Sequence, residues 1–202
     1  MSTWISKSAL IAVVLSGCVA PGSPPQGAAQ GTISFASATG EGIVVAGPAG
    51  FCALERTKQV RGEAEFVALS ACDRALGFLN GASPAILTAT IGPENSADGQ
   101  PLDGAVLAVY LNGREGRRAL SSVADSETVT VHEVMAISEA VFVRLTDSSE
   151  TEAKQNWRAF MALKGRLLTL SVRSQPQNEL TVEAGQRLIR NFVRAMRRAN
   201  AT

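Results

Sequence analysis

His132 is the only histidine in the 202-residue chain, and Glu133 follows it directly. A zinc hydrolase of the His-Glu-x-x-His type needs a second imidazole one helical turn on, and position 136 is Ala136. The β-rich residues around His132 place it on a strand face instead. Gly81-Ala82-Ser83-Pro84-Ala85 lacks the closing glycine of a nucleophile elbow, and Pro84 stands where the elbow's helix would start. Gly40-Glu41-Gly42 precedes a strand rather than following one, so it does not match a dinucleotide fingerprint, and there is no phosphate loop. The carboxylate pairs Glu63/Glu65 and Glu150/Glu152 read as solvated loop residues. Without a catalytic, metal-binding or cofactor-binding constellation, the expectation is a non-catalytic protein. Hydrolysis ranks last among the readings.

The cysteines carry more information. Cys18 stands apart near the start, which leaves Cys52 and Cys72. An even pair in an exported domain reads as a disulfide. Closing a loop of this length contributes about 3 kcal/mol in the chain-entropy view. A two-thiol metal or redox site is the rival reading. It is disfavoured because the spacing is not Cys-x-x-Cys and one histidine is all that is available to help.

Export is implied by the N-terminus. Lys7 is followed by seven apolar residues, 9–15, and then by small residues. Such a run is too short for a membrane span, which needs about 20 residues, and has the form of an export signal. Leu15-Ser16-Gly17-Cys18 resembles a bacterial lipobox. The resemblance implies a signal peptide over residues 1–17, diacylglyceryl transfer to the Cys18 thiol, and cleavage just before it. Two or more acyl chains hold a protein stably on a bilayer, where one holds it only marginally. Val19 rather than Asp follows the cysteine, which by the usual sorting pattern implies the periplasmic face of the outer membrane.

Residues 18–31 are rich in Pro, Gly, Gln and Ala and read as a flexible tether. Residues 32–202 remain as one domain, long enough for a real core. The chain carries 19 Lys+Arg against 18 Asp+Glu, and removal of Lys7 leaves no net charge, so no nucleic-acid partner is implied. The distribution is uneven. Residues 18–143 hold seven bases and thirteen acids, whereas 144–202 hold eleven bases and five acids.

Strands are expected at 32–35, 42–46, 66–72, 85–91, 128–137 and 140–146, with a loop or short helix at 55–62 and a connection at 73–83. A helix from Pro101 to about Asn112 is expected, with Leu102, Val106, Leu107, Tyr110 and Leu111 recurring at helical spacing, and a short one would follow from Arg114. Lys164-Gly165 reads as a two-residue turn joining strands 157–163 and 166–172. In that register Trp157 faces Val172, Ala159 faces Leu170 and Met161 faces Leu168, all on one apolar side. Thr181 caps a terminal helix whose stripe is Leu188, Ile189, Phe192, Val193 and Met196, and Gly185 permits close approach to the sheet. Arg187, Arg190, Arg194, Arg197 and Arg198 cluster on that helix. They read either as a solvated face or as a basic face for anionic lipid headgroups or an acidic partner.

The class expected is α+β, a mainly antiparallel sheet with packed helices. The closing hairpin and long terminal helix resemble the PsbP/Mog1-like α/β/α sandwich over roughly the last seventy residues. The wider chain resembles alphaproteobacterial lipoproteins through Gly47-Pro48, Phe51-Cys52, Phe66-Val67 through Cys72, Ile86-Leu87-Thr88-Ala89-Thr90, Trp157-Arg158-Ala159 and Lys164-Gly165-Arg166-Leu167. That resemblance implies no particular activity. Two functions are therefore expected: a lipid-anchored envelope protein that binds a protein partner or supports assembly, or a small-ligand-binding domain with a pocket between sheet and helix.

Overall fold

The structure is a computed structural model describing residues 31–37, 42–72, 85–97, 102–138, 140–150, 155–175 and 179–201. The expected signal segment, Cys18, the expected tether up to residue 30, the connection at 73–83, Pro101 and Glu152 lie outside the described residues.

An antiparallel sheet of eight strands forms the centre. Its strands are β3 (Phe51–Ala53), β4 (Gln59–Arg61), β5 (Ala64–Ala71), β6 (Ala85–Ile91), β7 (Val129–Ile137), β8 (Ala140–Asp147), β9 (Gln155–Leu163) and β10 (Arg166–Ser174). The spatial order is β3-β5-β6-β10-β9-β8-β7, with β4 also pairing to β5. The 55–62 segment contributes a 3-10 turn, Glu55–Thr57, and then β4. Two further strands, β1 (Ile33–Phe35) and β2 (Ile43–Val45), form a separate antiparallel ribbon.

The β9–β10 hairpin adopts the expected register, with Trp157 opposite Val172, Ala159 opposite Leu170 and Met161 opposite Leu168. Lys164 and Gly165 both have positive φ, 49° and 73°, as a two-residue turn matched to strand twist requires. Alternation then sends Trp157, Ala159, Met161, Leu168, Leu170 and Val172 to one side of the sheet.

That side is covered by the terminal helix, α3 (Val182–Ala199). Thr181 Oγ1 accepts from Ala184 N at 3.2 Å, capping its first turn. Ile189, Phe192, Val193 and Met196 are buried against the sheet, each worth about 1.5–3 kcal/mol. The β1–β2 ribbon joins the same core through Ile33, Phe35, Ile43 and Val45. Asn200, just past α3, pins the ribbon: its Oδ1 accepts from Val44 N at 2.9 Å and its Nδ2 donates to Val44 O at 2.7 Å.

Two shorter helices, α1 (Gly104–Asn112) and α2 (Arg114–Leu120), cover the other side over β7 and β8. There Leu111 and Leu120 meet Val129, Val141, Val143 and Leu145. The strand β8 is thus buried on both faces, which explains its continuous apolar run Ala140-Val141-Phe142-Val143. The apolar residues at helical spacing on α1 do not all face inward. Val106 and Tyr110 are 65% and 46% exposed, while Leu111 is buried and Leu107 partly so. Gly-Ala-Val-Leu-Ala-Val-Tyr-Leu is apolar all round, so its periodicity does not select the buried side. The helix begins at Gly104, because the Asp103 carboxylate caps it by accepting from Ala105 N at 2.9 Å and Val106 N at 3.1 Å.

Candidate binding surfaces

The five arginines of α3 divide into two groups. Arg187, Arg194 and Arg198 are exposed and follow one helix face through Asn191. Arg190 and Arg197 are only partly exposed and turn to the β7–β8 hairpin. The Arg190 guanidinium lies 6.0 Å from the centre of the Phe142 ring, and Arg197 donates to the Ser138 carbonyl. Glu183 in the first turn is the acid nearest the exposed stripe in sequence. Hydrogen bonds from its own backbone N–H and from the Thr181 hydroxyl hold its carboxyl below the ordinary range, with a smaller contribution from Arg187.

Cys52 and Cys72 stand at disulfide distance, with Cα atoms 4.8 Å apart. The pairing of β3 with β5 brings them together by setting Phe51 opposite Ala71, and Cys72 N donates to Gly50 O at 2.9 Å. The link therefore closes the outer edge of the sheet beside the point where the chain enters the domain.

A cleft of about 360 Å³ opens between Ala36, Glu63, Glu65, Pro93, Glu94 and Arg166. Glu63 is exposed in the turn before β5, as the solvated-loop reading has it, but Glu65 corrects that reading. Glu65 lies on β5, and its Oε2 is 2.9 Å from Arg166 Nη1, with the two side chains 17% and 5% exposed. Arg166 Nε also donates to Gly92 O at 2.7 Å. Ser37 donates to Glu94 Oε1 at 2.7 Å. Strand pairing alone assembles this cleft, since Glu65 and Arg166 are far apart in the chain. Glu150 is likewise engaged and pairs with Arg173.

His132 sits on edge strand β7 at a register shift between Val131 and Glu133. Its Nε2 is 2.8 Å from Thr146 Oγ1, and Glu133 lies 3.6 Å from Arg144. Partial burial, then the Arg144 charge, push the imidazole below its ordinary pKa. Among the described residues, no group of three or more His, Cys, Asp or Glu side chains is arranged to hold a metal ion.

Between the sheet and α3 lies a void of about 10 Å³ lined by Trp157, Val172, Ser174, Leu180, Thr181 and Gly185. The opposite helix layer presents Val106, Val109 and Tyr110 to solvent, with Val109 76% exposed. Spacing i, i+3, i+4 puts these three on one stripe. No helix among the described residues is long and apolar enough to cross a membrane. No protein-family model matches the chain, and no curated protein matches it.

Proposed function

We propose that the chain is a lipid-anchored protein of the bacterial cell envelope that binds a partner rather than converting a substrate. The observation that carries this reading is the distribution of the three cysteines. Cys52 and Cys72 stand at disulfide distance, a pairing that persists in oxidising compartments, and the thiol left over is Cys18 in Leu15-Ser16-Gly17-Cys18. The outer membrane is the expected site, with the domain on the periplasmic side.

The binding role is supported by the two exposed surfaces, the α1 stripe and the α3 arginines. Exposed apolar stripes on a folded domain mark contact sites more often than isolated apolar residues do. A small-ligand role is the second reading. The cleft of Glu63, Glu65, Glu94 and Arg166 favours it, being within the usual size of ligand pockets and suited by its carboxylates to a cationic group.

Two experiments test the proposal. Cys18→Ala in cells should release the domain from membranes or block processing, and normal cleavage with retained membrane attachment would end the lipid-anchor reading. Photo-crosslinking from positions 63 and 109 should yield a discrete adduct with an envelope protein from one of them. Adducts from neither, with the protein still membrane-bound, would defeat partner binding.

A further inference from the structure

We infer that the exposed arginine stripe of α3 seats on the anionic phospholipid headgroups of the membrane to which the chain is tethered. This inference rests on the lipid-anchor reading above.

Three observations combine. First, Arg187, Arg194 and Arg198 are exposed on one helix face, whereas Arg190 and Arg197 are taken up by the β7–β8 hairpin. Second, the chain enters the domain on this same side. The strand β1 starts two residues after Gly31 and belongs to the core beneath α3, and its partner β2 is bound to Asn200 at the end of that helix. Third, two lysines flank the ribbon. Lys58 Nζ donates to Ser34 O at 3.0 Å and Lys164 Nζ to Gly42 O at 3.2 Å, and both side chains remain exposed. The ribbon also borders the acidic cleft through Ala36, so the positive charge of this side is carried by the α3 stripe. The acids that follow the same element are Glu179 and Glu183, both at its N-terminal end and away from Arg194 and Arg198.

Tether length then bounds how far the domain stands from the bilayer. Residues 18–30 span at most about 45 Å when fully extended. The α3 face lies at the foot of that tether. A tethered surface also meets its target at high effective concentration, so modest attraction suffices. Each basic residue close to an anionic surface favours contact by roughly fivefold, and three by on the order of a hundredfold.

The test uses the full chain, recovered with its membrane anchor and placed on vesicles of phosphatidylcholine alone or mixed with phosphatidylglycerol. A fluorophore is attached at Asn191→Cys on the stripe or at Val109→Cys on the opposite layer, and brominated lipids act as quenchers. Quenching at 191 should exceed that at 109 by about twofold or more on the anionic vesicles. It should fall to the 109 level on neutral vesicles, in the combined Arg187→Gln, Arg194→Gln, Arg198→Gln variant, and in about 1 M salt, where screening acts within about 3 Å. Equal quenching at the two positions, or quenching at 191 indifferent to headgroup charge and salt, overturns the inference and leaves an acidic protein as the partner of the stripe. Flotation of the unlabelled chain with neutral vesicles reports the anchor separately. Its absence would defeat the lipid-anchor reading, while headgroup-dependent quenching at 191 would still stand.

Discussion

Gly185 lies against the indole of Trp157 so closely that a Cβ on residue 185 would stand 2.6 Å from Trp157 Cδ1 and 2.8 Å from Nε1. This contact sets the depth at which the first turns of α3 rest on β9. Trp157 is 2% exposed, and its Nε1 makes no hydrogen bond to protein. Gly185→Ala must therefore push helix and ring apart despite alanine's better helix propensity. Overpacking of this kind costs about 1–3 kcal/mol. Propensity alone would give a gain of about 1 kcal/mol. Urea melts read the sign directly: a lower midpoint is expected, and a higher one would show that the contact yields without cost.

The Glu65–Arg166 pair bridges β5 and β10 across β6, at the wall of the acidic cleft. Glu65→Gln or Arg166→Met leaves a desolvated charge without its counterpart. Breaking such a pair from one side costs about 3–5 kcal/mol, toward the lower end here because Glu65 keeps some contact with water. The double variant Glu65→Gln/Arg166→Met should recover part of that loss. Measured by chemical denaturation, single variants within a few tenths of a kcal/mol of the parent would mean that water already carries most of the pair's solvation.

Asp147 ends β8 as a buried carboxylate. It accepts four hydrogen bonds: from Ser122 N at 2.7 Å, Ser122 Oγ at 2.9 Å, Ser149 N at 3.0 Å and Ser149 Oγ at 2.6 Å. Burial pushes its pKa up, but the bonds from Ser122 and Ser149 outweigh this and hold it well below the ordinary carboxylate range. A folded-state pKa below the unfolded value means stability that is fully present above the unfolded value, about 3.9, and is lost as pH falls toward the folded one. Asp147→Asn should lower stability at neutral pH and flatten the acid limb of the stability–pH curve below about pH 4. An unchanged acid limb would assign acid sensitivity to other carboxylates.

Thiol labelling of the denatured, unreduced chain should find neither Cys52 nor Cys72 free. Cys72→Ala should lower stability by about 3 kcal/mol. Both thiols reacting in material taken from the periplasm would remove the pair from the account, together with the compartment inferred from it.

Much of the fold was legible along the chain. The β9–β10 register followed from Lys164-Gly165 and six alternating apolar residues, because a two-residue turn and period-two burial leave one pairing that puts Trp157, Ala159 and Met161 beside Val172, Leu170 and Leu168. The cap at Thr181, the stripe of α3 and the bounds of β6 are local features of the same kind. The arginine cluster was visible as a sequence pattern. Its division was not, because the neighbours of Arg190 and Arg197 are Phe142 and Ser138 on a hairpin some fifty residues upstream.

Local sequence determined the turns, caps, alternation and lipobox-like start, since each depends on a few adjacent side chains and the backbone angles they allow. Tertiary structure alone decided the rest. A helix apolar on every side carries no information about which side is buried, so only packing on β7 and β8 shows Leu111 inward and Val106, Val109 and Tyr110 outward. Glu65 looks like a solvated carboxylate until β6 draws β5 and β10 to either side of it and sets Arg166 2.9 Å away. Desolvation and ion pairing depend on what the fold brings within a few ångströms, and separation along the chain does not encode that distance.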